Sequence, residues 1–242
     1  MGSIILDIRN IHKRFGGVIA LDDVSISVRE KEFLGIIGPN GSGKTTLFNV
    51  ITGFYKPERG RIFFRGIDIT GWAPYKISRL GIARTFQIMK PLENLSTLDN
   101  VVSAALPRSR DLREAVEMAE KVLEIVKLSD KKDLPAGSLN AVEKRRLELA
   151  RALAGRPQLL LLDEVLAGHT PVEIEELLKI LKEIHMSGVT IIMVEHIMRA
   201  IMRIAERIIV LNFGRVIAEG SPEEVSKDPR VIEVYLGGFK PA

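Results

Sequence analysis

The residues with the most specific chemistry stand together at Gly38-Pro39-Asn40-Gly41-Ser42-Gly43-Lys44-Thr45. This is the spacing G-x-x-x-x-G-K-[ST], a loop whose backbone N–H groups turn inward around phosphate oxygens. Glycines permit that turn. The lysine reaches the β- and γ-phosphates, and the terminal hydroxyl ligates Mg²⁺. A helix starting at the loop adds its positive end. The pattern predicts a nucleoside triphosphate site, without saying what the energy of the nucleotide is used for.

A second group lies downstream, in Leu159-Leu160-Leu161-Leu162-Asp163-Glu164. A carboxylate at the end of a buried strand can hold a Mg²⁺ shell, which points to Asp163. Glu164, one residue on, is suited to orient or deprotonate an attacking water. Three further residues draw attention by position. Gln87 closes Arg84-Thr85-Phe86-Gln87. His196 follows the apolar run ending at Val194. Phe15 sits in Lys13-Arg14-Phe15-Gly16. Ligands bind beyond the ends of parallel strands, so an imidazole at 196 can hydrogen-bond a γ-phosphate. An aromatic at 15 can stack on a base.

The elements that must position these groups are legible in outline. Ile4–Asp7, Val24–Val28 and Arg61–Phe64 read as strands. Phe33–Ile37 is a short apolar run stopping at Gly38, the signature of a buried parallel strand. Thr45–Thr52 reads as the helix after it. From about Met89 to Ala154 the text is helical, with Leu112, Ala115, Val116, Ala119, Val122, Leu123 and Val126 forming one apolar face. Strand and helix alternation returns with Leu159–Leu162, Val189–Val194 and Arg207–Leu211. Thr170-Pro171-Val172-Glu173 opens a helix with Thr as N-cap, Pro at N1 and Glu at N3. Ile174, Leu177, Leu178, Leu181 and Ile184 are its buried stripe. Ser221-Pro222-Glu223-Glu224 opens a helical tail. The pattern predicts an α/β core interrupted by a helical insert.

Composition removes several classes. The chain has 242 residues, enough for a sizeable core. It has no cysteine, so disulfides, thiolate nucleophiles and Cys-ligated zinc are out. Lys plus Arg is 35 and Asp plus Glu is 31, a net charge of +4, too small a surplus to mark a nucleic-acid footprint. No run approaches the roughly 18 apolar residues of a membrane span. Met1–Leu6 has no basic region and no cleavage site, so no signal peptide is expected. Leu6 stands where a myristoylation pattern wants Ser or Thr.

Taken in order, Lys-x-Phe-Gly, the phosphate loop, Arg-Thr-Phe-Gln, the leucine-rich strand with Asp163-Glu164, and Glu195-His196 resemble an ABC transporter ATPase over about residues 4 to 238. Asn49-Val50-Ile51-Thr52-Gly53, Gly81–Gln87, Val194–Met198, Ile217–Pro222 and Val234–Gly237 are more particularly similar to the ATPases of branched-chain amino-acid importers. The resemblance implies an α/β P-loop NTPase core with a mostly parallel sheet, an N-terminal antiparallel β region and an inserted helical subdomain. One ABC ATPase domain would span 1–242, with core at about 1–88 and 155–220, helical subdomain at 89–154 and tail at 221–242. It implies ATP and Mg²⁺ as ligands. Phe15 would stack on adenine. Gly38, Pro39, Asn40, Gly41, Ser42, Gly43, Lys44, Thr45 and Thr46 would bind phosphates. Thr45, Gln87 and Asp163 would hold the metal shell, with Gln87 touching the Mg²⁺ or the attacking water and reporting to the permease; Glu164 would be the base and His196 the γ-phosphate switch. Implied partners are transmembrane permease subunits, a second ATPase subunit in an ATP sandwich and, indirectly, an external substrate-binding protein. No nucleic acid is expected. The implied location is the cytoplasmic face of the membrane.

The chain departs from the family pattern at its second motif, usually Leu-Ser-Gly-Gly-Gln. Here Leu139-Asn140-Ala141-Val142-Glu143 stands in its place. Asn140 and Glu143 form an Asn-x-x-Glu capping box, so a helix N-terminus would still face phosphate. Val142 is the harder change, because a β-branched residue resists a glycine-like φ. Val165 replaces a proline, and His169-Thr170 replaces a Leu-Asn or Leu-Asp pair. The transported substrate, and whether the partner ATPase is identical, are not encoded here. Alternative readings are a lipid or lipopolysaccharide exporter ATPase, an ABC ATPase acting on nucleic acid or translation, and a non-hydrolysing nucleotide binder.

Overall fold

A computed structural model describes residues 2–86 and 90–236 of the chain. Two sheets form its frame. The first is antiparallel, with strands β1 (Ile4–Phe15), β2 (Val18–Arg29), β4 (Arg59–Phe64) and β5 (Ile67–Asp68) in the order β2-β1-β4-β5. The second has six strands: β3 (Phe33–Ile37), β6 (Ile82–Arg84), β7 (Leu159–Asp163), β8 (Thr190–Val194), β9 (Arg207–Asn212) and β10 (Arg215–Gly220). Their order is β10-β9-β3-β8-β7-β6, parallel throughout except for the antiparallel edge strand β10.

The apolar runs became the centre of the second sheet for a simple reason. Every residue of β3, β7 and β8 is buried. A strand covered on both faces reads as continuous Leu, Ile and Val, whereas a one-sided strand alternates. The alternate residues face different layers: Leu160 and Leu162 join one apolar cluster, Leu159 and Leu161 the other. Burying each such side chain is worth ~1.5–3 kcal/mol, so truncating one leucine to alanine costs ~2–5 kcal/mol.

Helix α1 (Lys44–Ile51) follows β3 directly, and α2 (Pro74–Leu80) precedes β6. Between β6 and β7 lie α3 (Thr97–Ala105), α4 (Leu112–Ile125) and α5 (Ala141–Ala154), which pack on one another. Then come α6 (Pro171–Met186), α7 (Met198–Ile204), α8 (Pro222–Lys227) and α9 (Pro229–Leu236). Three capping boxes read from local sequence are present, at Asn140, Thr170 and Ser221.

Several expectations need correction. The helical run begins at Thr97, with Ser96 as N-cap, and residues 90–96 are not helical. Leu112 does not belong to the apolar face of α4: it is 62% exposed, because it opens the helix just after the Asp111 cap. Strands β1 and β2 are far longer than their apolar cores, and α2 and β10 add elements to those expected.

Candidate active site

The phosphate loop joins β3 to α1, and the neighbouring strand ends surround it. Gly43, the N-cap of α1, has φ +106, and a Cβ there would lie 2.4 Å from the Ala20 carbonyl oxygen. At Gly38 a Cβ would lie 2.1 Å from the Leu211 carbonyl oxygen. Both positions therefore exclude any side chain, which is the physical content of the glycines in the motif. The turn between β9 and β10 braces the loop: Gly214 N–H donates to the Ser42 carbonyl at 2.9 Å, and Asp22 N–H donates to the Gly214 carbonyl at 2.8 Å.

Lys44 is buried in this cradle. Its Nζ donates to the Gly38 and Pro39 carbonyls at 2.8 and 2.9 Å, and to Ser42 Oγ at 3.4 Å. Burial lowers its pKa, while the nearby charges of Glu164 and Asp163 act in the opposite sense. So a desolvated ammonium, two carboxylates and the N-terminal end of an eight-residue helix meet in one place. Thr45 is exposed and Thr46 half-buried on the first turn of α1.

Asp163 ends β7 and is 1% exposed. Its backbone N–H donates to Thr85 Oγ1 at 3.2 Å. Its Oδ2 accepts from Arg84 Nη2 at 2.7 Å, whereas its Oδ1 is buried without a partner. Glu164 follows with φ +50, a left-handed conformation that is costly for a residue with a side chain. Three hydrogen bonds to its backbone hold it there. Its N–H donates to the Val194 carbonyl at 3.0 Å, and its carbonyl accepts from Ala167 N–H at 3.3 Å and Arg145 Nη1 at 3.2 Å.

Strand β8 lies between β3 and β7, so His196 leaves the sheet between the phosphate loop and Asp163. It is exposed. The residue before it, Glu195, is fully buried. Glu195 Oε1 accepts from Leu166 N–H at 2.8 Å, Oε2 has no partner, and burial raises its pKa. Phe15 ends β1 with its ring edge-on to Tyr55 at 5.0 Å and the Lys13 Nζ 5.1 Å from its centroid. It is 42% exposed, open to stacking by a flat ligand. Gln87 lies outside the described residues.

The motif residues Leu139, Asn140, Ala141 and Val142 are at the start of α5. Asn140 caps the helix: its Oδ1 accepts from Glu143 N–H and its own N–H donates to Glu143 Oε2, both at 2.9 Å. Glu143 also pairs with Lys131. Val142 has ordinary helical backbone, so the difficulty of a glycine-like φ does not arise at this position. Among the described residues no hydrogen bond or ion pair joins residues 139–142 to the phosphate loop. His169 is half-buried, both its ring nitrogens lack partners, and burial lowers its pKa.

A cavity of 910 Å³ opens beside the site between α1, α2, β6 and α5. Thr45, Phe54, Phe86, Glu148 and Asp163 are among its walls. Phe54 and Phe86 meet edge-to-face at 5.7 Å, and Phe86 N–H donates to Glu148 Oε1 at 3.3 Å. Burial raises the Glu148 pKa.

The donor set suits Mg²⁺. One carboxylate oxygen is buried and unpartnered, and hydroxyls stand on the first turn of α1. Mg²⁺ is usually held by one or two carboxylates plus substrate phosphates and water, not by a protein cage. Among the described residues no three His, Asp or Glu side chains converge as a metal cage.

Reading by residue type overlooked Arg84 and Glu195. Both stand in the segments that name Gln87 and His196, and the signal for Glu195 is a carboxylate directly after the apolar strand ending at Val194. Tyr235 was also missed: burial pushes its pKa up to about 12, and the Gly38 backbone beside its hydroxyl opposes that shift.

Two family models match this chain, "ABC transporter" over residues 21–167 and "Branched-chain amino acid ATP-binding cassette transporter" over residues 215–240. The high-affinity branched-chain amino acid transport ATP-binding protein BraF of Pseudomonas aeruginosa is 38% identical, covering 98% of this chain and 99% of its own. The probable branched-chain amino acid transport ATP-binding protein LivG of Archaeoglobus fulgidus is 40% identical, covering 96% and 95%. A crystal structure of the ADP conformation of an ABC transporter cassette superposes with a TM-score of 0.87 at 37% identity, covering 97% and 99%. A dimeric bacterial ABC transporter cassette gives 0.82 at 27% identity, covering 90% and 98%.

Proposed function

The chain belongs to the ABC transporter ATP-binding family, and from that premise we propose that it is the ATP-hydrolysing subunit of an importer of branched-chain or related amino acids. The observation that carries this reading is the meeting of Lys44, Asp163 and Glu164 at a loop that admits no side chain at Gly38 or Gly43. The match of the C-terminal segment supports the amino-acid substrate class.

Each residue then has a task. Backbone N–H groups of the loop between residues 38 and 46, Pro39 excepted, and the Lys44 ammonium bind the phosphates. Phe15 stacks on the adenine. Thr45 and Asp163, with Gln87, are the residues that would hold magnesium, which when bound neutralises charge on the β- and γ-phosphate oxygens. Glu164 accepts the proton of the attacking water. One P–O bond forms to that water, and the bond from the γ-phosphorus to the bridging oxygen breaks. His196 hydrogen-bonds the γ-phosphate and senses its presence. Most of the acceleration comes from positioning and charge stabilisation, since little covalent chemistry is left to the protein.

The cassette works in a pair, with the α5 N-terminus of one subunit facing the γ-phosphate held by the other. Permease subunits dock in the groove beside Phe54 and Phe86 and follow the opening and closing of the pair. This seats the chain on the cytoplasmic face of a membrane. No helix among the described residues is long and apolar enough to cross one itself.

The test has two parts. Purified protein is titrated with ATP beside Lys44→Ala, whose lost charge-assisted contacts, about 1.5–3 kcal/mol each, predict at least about tenfold weaker binding. Cells lacking the gene are then assayed for uptake of labelled leucine, isoleucine and valine. Equal ATP binding by both proteins would remove the phosphate-loop assignment. Unchanged uptake would remove the amino-acid substrate class.

A further inference from the structure

The ion pair between Arg84 and Asp163 is nearly dry, with side-chain exposures of 5% and 1%. Its geometry is divided. Arg84 Nη2 donates to Asp163 Oδ2 at 2.7 Å, while Nη1 donates to Asn49 Oδ1 at 2.7 Å and to Thr52 Oγ1 at 3.3 Å. Arg84 therefore ties three elements together: its own strand β6, the phosphate-loop helix α1, and the end of β7. The guanidinium carbon also lies 5.5 Å from the Phe48 ring centroid and 5.1 Å from that of Phe86.

Stability alone does not explain the arrangement. Removing two charges from water costs several kcal/mol per ion, and the pair recovers this only when the remaining lone pairs are satisfied. Here they are not. Asp163 Oδ1 and Arg84 Nε are both buried without partners. A well-packed apolar pair would hold these strands as firmly. What the fork does achieve is selection: it occupies Oδ2, ties that oxygen to α1 through Asn49, and leaves Oδ1 without a partner.

We propose that Arg84 is a positioning residue for the metal, orienting Asp163 so that Oδ1 alone faces the Mg²⁺ shell in register with Thr45 on α1. The proposal rests on the nucleotide reading given above and deepens it. Partners that orient a metal-binding side chain typically change metal affinity about 10–100-fold when mutated. The same guanidinium lines the 910 Å³ groove together with Phe86 and Thr52. Whatever presses into that groove meets the group that aims the metal-binding carboxylate.

The experiment measures how much Mg²⁺ tightens nucleotide binding. ADP is titrated calorimetrically into wild type and Arg84→Lys, once with Mg²⁺ and once with EDTA. A lysine keeps one positive charge but cannot fork to Asp163 and Asn49 together. The proposal predicts the same affinity in EDTA, where the loop amides and Lys44 act alone. It predicts that the gain from Mg²⁺ falls about tenfold or more. An undiminished gain overturns it. So does an equal loss in both buffers, which would mark a purely structural role. Should Arg84→Lys not fold, Asn49→Leu frees the other arm of the fork and is read by the same criteria. Wild type that binds no ADP in either buffer would instead bring down the nucleotide reading, and this proposal with it.

Discussion

Arg145 Nη1 donates to the backbone carbonyl of Glu164 at 3.2 Å. A residue on the first turns of α5 thus steadies the one non-glycine position in the candidate site with a left-handed backbone, at φ +50. Helix α5 begins with the segment that, in the proposed pairing, faces a partner's nucleotide. The bond therefore joins the helix that follows that motif to the candidate base of the same subunit.

Removing that link should slow chemistry without weakening binding. Arg145→Ala leaves the bond to the Val194 carbonyl and the bond from Ala167 N–H to hold Glu164, so the chain should fold, with stability reduced by ~1–2 kcal/mol. ATP affinity should stay within about twofold, and turnover should fall by about three- to tenfold, the equivalent of ~1 kcal/mol of positioning. Binding titrations beside phosphate-release rates check this. A variant with unchanged turnover would show that the bond is incidental.

Glu195 gives a pH prediction. Burial raises its pKa above the ordinary 4.5, because the charged form is disfavoured in the fold. The unfolded chain therefore ionises first as pH rises. The stability linked to the neutral carboxyl is full below 4.5 and is lost as pH climbs toward the raised folded value. Glu195→Gln keeps an oxygen to accept from Leu166 N–H and removes the titration. It should match wild type in urea denaturation near pH 4 and exceed it at pH 7. A constant difference between the two pH values would contradict the account.

The capping box at Asn140 makes a prediction about assembly. A helix that starts cleanly at Ala141 keeps its N–H groups directed outward, and anions are favoured there. The hydrolysis-blocked variant Glu164→Gln should therefore double in mass with ATP in light scattering after size exclusion. Adding Asn140→Ala should cost ~1 kcal/mol of helix stability and reduce that dimer. A monomer that binds ATP and stays single would point to a different partner cassette.

The parts of this molecule that were legible in its sequence are local. The phosphate loop, the buried strands and the three capping boxes each depend on residues within a few positions of one another. Strand β1 runs on to Phe15 through Asn10, His12 and Lys13 with several register shifts and a left-handed Asn10, so no alternation survives to mark it. Helix α2 is only seven residues long and buries one of them, too little to leave a periodic trace. Strand β10 is an edge strand with mixed burial. The contacts that refine the candidate site are long-range. Arg84 and Asp163 are 79 residues apart, and Leu166 and Glu195 are 29 apart. Only strands β6, β7 and β8 lying side by side bring them together. Val142 shows the reverse error: a local rule about glycine suggested strain, whereas the helix start demands no special φ.

The central claim is that this chain hydrolyses Mg·ATP with Glu164 as the base. The most direct measurement follows phosphate released from labelled ATP by wild type and Glu164→Gln, with binding of ATP confirmed for both. The account predicts Mg²⁺-dependent release by wild type and a rate at least about 100-fold lower in the variant, within the 10²–10⁴ range of a lost general base. Equal rates, or wild type that binds ATP and leaves it intact, would contradict it.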